Sequence, residues 1–178
     1  MFDNKEDIIL ILGPSKCGKT SLLNGYDKIY YETYGYIFNE YSRNNIPLYI
    51  YDIGGRMKKY WKEWCQSEHR GIIYVFDGSI SEKGLIEDLK ELIAISGKST
   101  PLMILQTKSD LYPKITFNFE SIIGNRKYTF IETNVYKFNL NIINWFYDSE
   151  FKIEPVLFSI SHAIIKEFYH ENRKYKID

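Results

Sequence analysis

A chain of 178 residues, 44% hydrophobic and 17% aromatic, can bury one good core, so a single domain over residues 1–178 is expected. Its 23 basic and 23 acidic residues are spread along the sequence and cancel, which excludes the basic stripe that binds nucleic acid or an anionic membrane. A small ligand or a protein is the expected partner.

No apolar run approaches the roughly 20 residues of a membrane span. Met1-Phe2-Asp3-Asn4-Lys5 lacks the charged-then-apolar pattern of a signal peptide, Phe2 stands where myristoylation needs glycine, and residues 175–178 hold no cysteine for a prenyl group. No direct membrane anchor is therefore expected, and any recruitment to membranes falls to a partner. Of the two cysteines, Cys17 and Cys65, the first lies in a glycine-bounded loop whose backbone a disulfide would distort; a reducing, cytoplasmic setting fits.

Residues 7–12 form a nearly unbroken apolar run ending at Gly13, the pattern of a strand buried on both faces of a parallel sheet. Runs over 47–51, 71–76 and 101–105 resemble it, each followed by a polar or glycine-rich turn. Between the last two, Leu85, Leu89 and Leu92 recur at helical spacing beside Glu87, Lys90 and Glu91, which predicts an amphipathic crossover helix over 81–96. The stretch 112–126 predicts no element, whereas β-branched and aromatic Tyr128-Thr129-Phe130-Ile131 predicts a further strand. Leu140, Ile143 and Phe146 recur at helical spacing, and so do Leu157, Ile160, Ile164, Ile165 and Phe168 within 155–174, which predicts a last helix. Alternating buried strands and helices predict a doubly wound α/β fold.

Gly13-Pro14-Ser15-Lys16-Cys17-Gly18-Lys19-Thr20 fits G-x-x-x-x-G-K-[ST] between a predicted strand and a predicted helix, the context in which the motif is a phosphate-binding loop. Glycines let the backbone turn so that successive N–H groups converge on phosphate oxygens, and the following helix directs its positive end there. Gly13, Ser15, Lys16, Cys17, Gly18, Lys19, Thr20 and Ser21 are the expected cradle. Lys19 would reach the outer phosphates and Thr20 would set its hydroxyl on Mg²⁺. Downstream, Asp52-Ile53-Gly54-Gly55 follows another predicted strand, where a carboxylate can meet Mg²⁺ through water and the Gly55 N–H can meet a γ-phosphate.

With these motifs in order, the chain resembles a Ras-superfamily small GTPase, closest to the Arf and Arf-like branch. Thr33-Tyr34-Gly35-Tyr36 resembles the family's switch I Pro-Thr-Ile-Gly-Phe, with Glu32 in the place of the proline, and the spacing from Thr33 to Asp52 matches that of Arf proteins. Gly71-Ile72-Ile73-Tyr74-Val75-Phe76-Asp77 resembles an Arf strand, Trp61 sits near the switch II tryptophan of Arf-like proteins, and Thr107-Lys108-Ser109-Asp110 resembles the guanine-reading Asn-Lys-x-Asp. The resemblance covers about the first 135 residues. It implies a three-layer P-loop NTPase fold of the small G-protein type, a mostly parallel six-stranded sheet with helices on both faces. It also implies GTP/GDP and Mg²⁺ as ligands, with Thr20, Thr33 and Asp52 at the metal and Lys19, Thr33, Gly55 and Arg56 at the reacting phosphate. The base would be read by Thr107, Lys108 and Asp110, and Asp110 can accept from guanine N1–H and the 2-amino group, which adenine cannot supply.

Departures from the family pattern qualify that picture. Arg56 stands where relatives carry the glutamine that orients the attacking water, and arginine has five donors and no acceptor, so slow hydrolysis is expected. Its guanidinium could lie on the γ-phosphate or be a solvated switch II arginine beside Lys58 and Lys59. Thr20 to Thr33 is shorter than the family usual by roughly four residues, about one helical turn. Thr107 replaces asparagine, which could weaken guanine preference. The last guanine-reading turn has two candidates, Glu132-Thr133-Asn134 and Asp148-Ser149-Glu150, and the distance from Asp110 favours Thr133 and Asn134. With about six residues ahead of Asp7, the amphipathic membrane helix of Arf proteins is not expected.

Other residues carry weaker signals. His162 falls on or beside the apolar stripe of the last predicted helix, and no Cys/His cluster has zinc spacing. Tyr60, Trp61 and Trp64 could form an exposed interface patch or pack in the core. Asp77 reads as a capping carboxylate. The expected function is a GTP-binding switch, a monomer or partner-bound heterodimer whose switch regions meet an effector, an exchange factor or a GTPase-activating protein. The alternatives are a non-hydrolysing pseudo-GTPase scaffold, favoured by Arg56, and a P-loop kinase or ATPase, favoured only by Thr107.

Overall fold

A computed structural model of the protein describes residues 7–24, 31–43, 46–67, 69–113 and 115–133, all within one compact unit, Met1–Phe138. The helices expected around residues 140–146 and 155–174 lie outside the described residues, as does His162.

Six strands form one sheet: β1 (Asp7–Leu12), β2 (Tyr36–Arg43), β3 (Ile46–Ile53), β4 (Gly71–Asp77), β5 (Leu102–Thr107) and β6 (Tyr128–Glu132). Their order is β2-β3-β1-β4-β5-β6, and β2 alone runs antiparallel, to β3. β4 and β5 are buried along their whole length, as the apolar runs predict for strands covered on both faces. Strand alternation sends Leu10 and Leu12 to one face and Ile9 and Ile11 to the other, and all are fully buried, so the sheet is the middle layer of three.

Helix α1 (Lys19–Asn24) follows β1, a 3₁₀ turn (Gly55–Tyr60) leads into α2 (Trp61–Gln66), α3 (Glu82–Ile95) crosses from β4 to β5, and α4 (Glu120–Ile123) precedes β6. The predicted amphipathic pattern of α3 is realised: Leu85, Leu89 and Leu92 are buried in a core with Leu10, Leu12, Trp61, Tyr74, Phe76 and Ile104. The Ser81 hydroxyl caps its first turn by accepting from the Gly84 N–H at 3.1 Å. At the other end the buried Arg126 guanidinium donates to the Ser96 hydroxyl at 2.7 Å, a cation at the negative end of the helix.

Three differences from the sequence reading have simple causes. β5 begins after Pro101, which has no N–H for the ladder, although its carbonyl accepts from Ile72 at 3.0 Å. α4 is a single turn closed by Gly124 at φ +63°, too short to show a period. β2 shows no apolar-in, polar-out alternation because its outward face carries the exposed aromatics Tyr36 and Phe38 while buried Asn39 lies on the other.

Replacing Leu89 with alanine removes a fully buried side chain from the α3 stripe. Urea unfolding of Leu89→Ala should show a loss of about 2–5 kcal/mol relative to the wild type.

Candidate functional site

The sheet order reverses at β1, which lies between β3 and β4, and the crevice beyond its carboxyl end is where α/β sheets bind ligands. The loop 13–18 fills that place. Gly13 has φ +146°, and a Cβ there would come within 1.9 Å of the Val75 carbonyl oxygen, so only glycine lets the loop leave β1 this close to β4. The Cys17 thiol donates to the same Val75 carbonyl at 3.1 Å. Lys19 Nζ folds back over the loop and donates to the carbonyls of Gly13 at 2.9 Å and Pro14 at 2.7 Å. These bonds hold an ammonium at the centre of a ring of backbone groups, the arrangement an outer phosphate would engage.

Thr20, Thr33 and Asp52 come together from three segments. Thr20 Oγ1 donates to Asp52 Oδ2 at 2.5 Å and stands 3.0 Å from Thr33 Oγ1, so the shortened spacing between the threonines does not keep them apart. Asp52 is fully buried, and its other oxygen, Oδ1, has no hydrogen-bond partner among the described residues. Burial pushes its carboxyl above the usual carboxylate range, against the Thr20 hydrogen bond and the nearby Lys19 charge. An orphaned carboxylate oxygen beside two hydroxyls fits a hard divalent cation. Among the described residues no group of three or more His, Cys, Asp or Glu could hold a metal by itself, so such an ion would take its remaining ligands from phosphate and water.

The Gly54–Gly55 turn closes over this cluster. The Gly54 N–H donates to the Gly35 carbonyl at 2.8 Å, and a Cβ on Gly55 would lie 2.1 Å from the Ser15 nitrogen. A cleft of about 100 Å³ remains, lined by Ser15, Lys16, Gly18, Lys19, Thr20, Ser21, Tyr31, Glu32, Thr33 and Gly55. Arg56, just past the turn, is exposed and forms an ion pair with Glu32 at 2.9 Å. Sequence reasoning placed Arg56 on a phosphate or in solvent and missed Glu32 as its partner; the only signal was that both depart from one family pattern.

On the far side of the loop, Thr107 is buried and its hydroxyl donates to the Cys17 carbonyl at 2.6 Å, which ties β5 to the phosphate loop. Lys108 donates to the Lys16 carbonyl at 3.1 Å and pairs with Asp77 Oδ2 at 2.5 Å. Burial raises the Asp77 carboxyl, but Lys108 and the hydroxyl and N–H of Ser79 outweigh it and hold the group below the ordinary carboxylate value. Asp77 thus closes the turn after β4 and pairs with Lys108, while the cap of α3 is Ser81. Asp110 is exposed in the turn after Lys108. The Thr133 N–H donates to the Gln106 carbonyl at 2.8 Å and its carbonyl accepts from Ser109 at 3.4 Å, so the first candidate for the last motif lies beside the turn after β5. Asn134 and the alternative Asp148-Ser149-Glu150 lie outside the described residues.

The aromatic residues of α2 divide. Trp61 is buried against Tyr74. Trp64 is half-buried and packs on Tyr36 and Tyr51 at centroid distances of 5.1 and 5.4 Å, next to exposed Phe38, so an aromatic face spans β2, β3 and α2. Lys58, in the 3₁₀ turn, pairs with Asp88 at 2.6 Å and Glu91 at 2.9 Å on α3, and the buried Tyr74 hydroxyl donates to Asp88 at 2.7 Å. No motif signals that network.

Comparison with known proteins agrees with this geometry. The family model described as "Arf: ADP-ribosylation factor family" matches residues 1–135. ADP-ribosylation factor-like protein 8c of Arabidopsis thaliana is 28% identical over 122 residues, 62% of this chain and 65% of that protein. ADP-ribosylation factor 3 of the same plant is 32% identical over 89 residues, 47% of this chain and 48% of that protein. The chain therefore spans between about half and two thirds of the length of these curated relatives. Among solved structures, the Arl6 BBS3 small GTPase from Trypanosoma brucei with bound nucleotide analogue GppNp aligns with a TM-score of 0.66 and 15% identity, covering 80% of this chain and 95% of that one. Roco2 RocCORdC of Methanosarcina barkeri bound to GDP aligns with a TM-score of 0.62 and 22% identity, covering 79% of this chain and 46% of that one. At these identities the structures bear on the fold alone.

Two measurements check the site. Thr107→Val keeps the side-chain shape but leaves the Cys17 carbonyl without its donor, so chemical denaturation should show a loss of about 1–3 kcal/mol. Burial pushes the Cys17 thiol up to about 11 and Cys65 up to about 12. Both should resist iodoacetamide at pH 8 in the folded protein and react once it is unfolded, by mass spectrometry.

Proposed function

This chain belongs to the ADP-ribosylation factor family, and from that premise we propose that it is a guanine-nucleotide switch that holds GTP or GDP with Mg²⁺ in the cleft beyond β1. The observation that carries the reading is the convergence of Thr20, Thr33 and Asp52 beside the Lys19 ammonium, at the reversal point of the sheet. In this reading the backbone of Gly13–Ser21 cradles the phosphates, Lys19 engages the outer ones, and Gly55 turns its N–H toward the terminal phosphate. Thr20, Thr33 and Asp52 would hold Mg²⁺ between them. The ion, when bound, neutralises charge on the phosphate oxygens. Thr107 holds the loop, Lys108 lies along the base, Asp110 reads the guanine edge, and Thr133 with Asn134 supplies the last backbone contact.

Hydrolysis in this site is a water attack in line with the leaving diphosphate, stabilised by Lys19 and backbone N–H groups. Arg56, paired here with Glu32, cannot accept a hydrogen bond from that water, so the intrinsic rate is low and a GTPase-activating partner supplies the missing group. Effectors and exchange factors would meet the segments around Thr33 and 54–64, next to the aromatic face of Tyr36, Phe38, Tyr51 and Trp64. Such an aromatic face has the composition of an interface anchor. The same ion pair favours a second reading, a nucleotide-loaded scaffold that does not hydrolyse.

Extraction of the nucleotide bound to purified protein, followed by hours of incubation with GTP or ATP and Mg²⁺, tests the choice. GDP in the extract and slow conversion of GTP alone is the expected result; intact GTP without turnover supports the scaffold, and empty protein or ATP preference sinks the guanine assignment to Lys108 and Asp110. Single-turnover hydrolysis should rise in Arg56→Gln, and an unchanged near-zero rate would count against a site competent apart from that residue.

A further inference from the structure

Glu32 and Arg56 replace the proline before the switch threonine and the water-orienting glutamine, and they hold each other. Arg56 Nε donates to Glu32 Oε1 at 3.0 Å while Nη2 lies 2.9 Å from Oε2, a two-pronged pair. The guanidinium carbon stands 5.1 Å from the Tyr34 ring centroid, so the pair is backed by an aromatic face. The two partners differ in setting: the Arg56 side chain is 59% exposed and that of Glu32 only 14%. Glu32 turns inward and lines the cleft with Ser15, Lys16, Lys19, Thr33 and Gly55. An acidic group therefore lines the same cleft as Lys19, Thr20 and the loop that follows β1.

We propose that Glu32 competes with the terminal phosphate of a nucleoside triphosphate for Arg56, and so sets the chain's preference between triphosphate and diphosphate. The proposal rests on the nucleotide-binding reading above. Two anions that share a partly desolvated cleft repel, and each needs the same donors. A diphosphate ends short of Glu32 and leaves the pair with Arg56 intact. A triphosphate must displace the carboxylate, and the freed guanidinium then lies on the incoming phosphate. Glu32 precedes Thr33 and Arg56 follows Gly55, so this exchange of partners tells both flanking segments whether the third phosphate is present.

The test is equilibrium competition between GTP and GDP on the full chain with Mg²⁺, for the wild type, Glu32→Gln, Glu32→Ala and Glu32→Gln/Arg56→Met, with thermal melting as the check on folding. Glu32→Gln should raise affinity for GTP relative to GDP about tenfold, the scale expected for removing one nearby like charge. Glu32→Ala, which removes the same charge by a different change of shape, should do likewise. In the double variant most of that rise should disappear, because the freed guanidinium carries it. Binding of both nucleotides with an unchanged ratio in Glu32→Gln and Glu32→Ala overturns the proposal and leaves the nucleotide reading standing. A full rise without Arg56 overturns the competition for that residue. A wild-type protein that binds neither nucleotide overturns the nucleotide reading and the proposal with it.

Discussion

The close approach of the loop at residues 13–18 to the edge of β4 constrains the rest of the site. Gly13 passes under the Val75 carbonyl with no room for a side chain, and Cys17 donates to that same oxygen. The loop is therefore anchored to a strand buried along its whole length, and its backbone cannot drift without breaking bonds in a core where a lost partner is costly. Lys19 gains its place from the same anchoring, since the carbonyls it bonds belong to Gly13 and Pro14.

Around that fixed loop two sets of segments gather. On one side Thr33 and Asp52 meet Thr20 at the start of α1, and the Gly54–Gly55 turn packs against Ser15; Asp52 belongs to the β3 ladder, whereas Thr33 and Gly54 lie in loop segments. On the other, Thr107 and Lys108 bond directly to loop carbonyls, and the Lys108–Asp77 pair joins the ends of two neighbouring central strands. The second side is built at the ends of the ladder between β4 and β5, with no member in a separate loop segment ahead of its strand. That difference suits the proposed division of labour, in which one side senses the number of phosphates and the other holds the base.

The 3₁₀ turn after Gly55 is itself tethered. Lys58 reaches two carboxylates on α3, and one of these also accepts from Tyr74 in the middle of β4. Asp88 is thereby held between a strand and the turn, so a shift of that turn is felt by α3 through a charge-assisted bond. Trp61 and Trp64, one turn apart, split between core and surface, and the surface member joins Tyr36 and Tyr51 across two strands.

The eight-residue phosphate motif, the Asp52–Gly55 turn, the apolar strand runs and the leucine stripe of α3 were legible in the sequence because each is contiguous or periodic, and local backbone chemistry dictates it. β2 was not, because exposed aromatics on its outer face erase the alternation that marks a half-buried strand. Nor were the partners of single residues. That Arg56 meets Glu32, Thr107 meets the Cys17 carbonyl, and Lys58 meets Asp88 depends on which segments the sheet order brings side by side, and a charge or hydroxyl carries no label for a partner far along the chain. The sequence by itself determined the loop, the strands and the residue types at the candidate site; only the tertiary structure decided which of them touch, because those contacts are set by the packing of the sheet and not by local propensity.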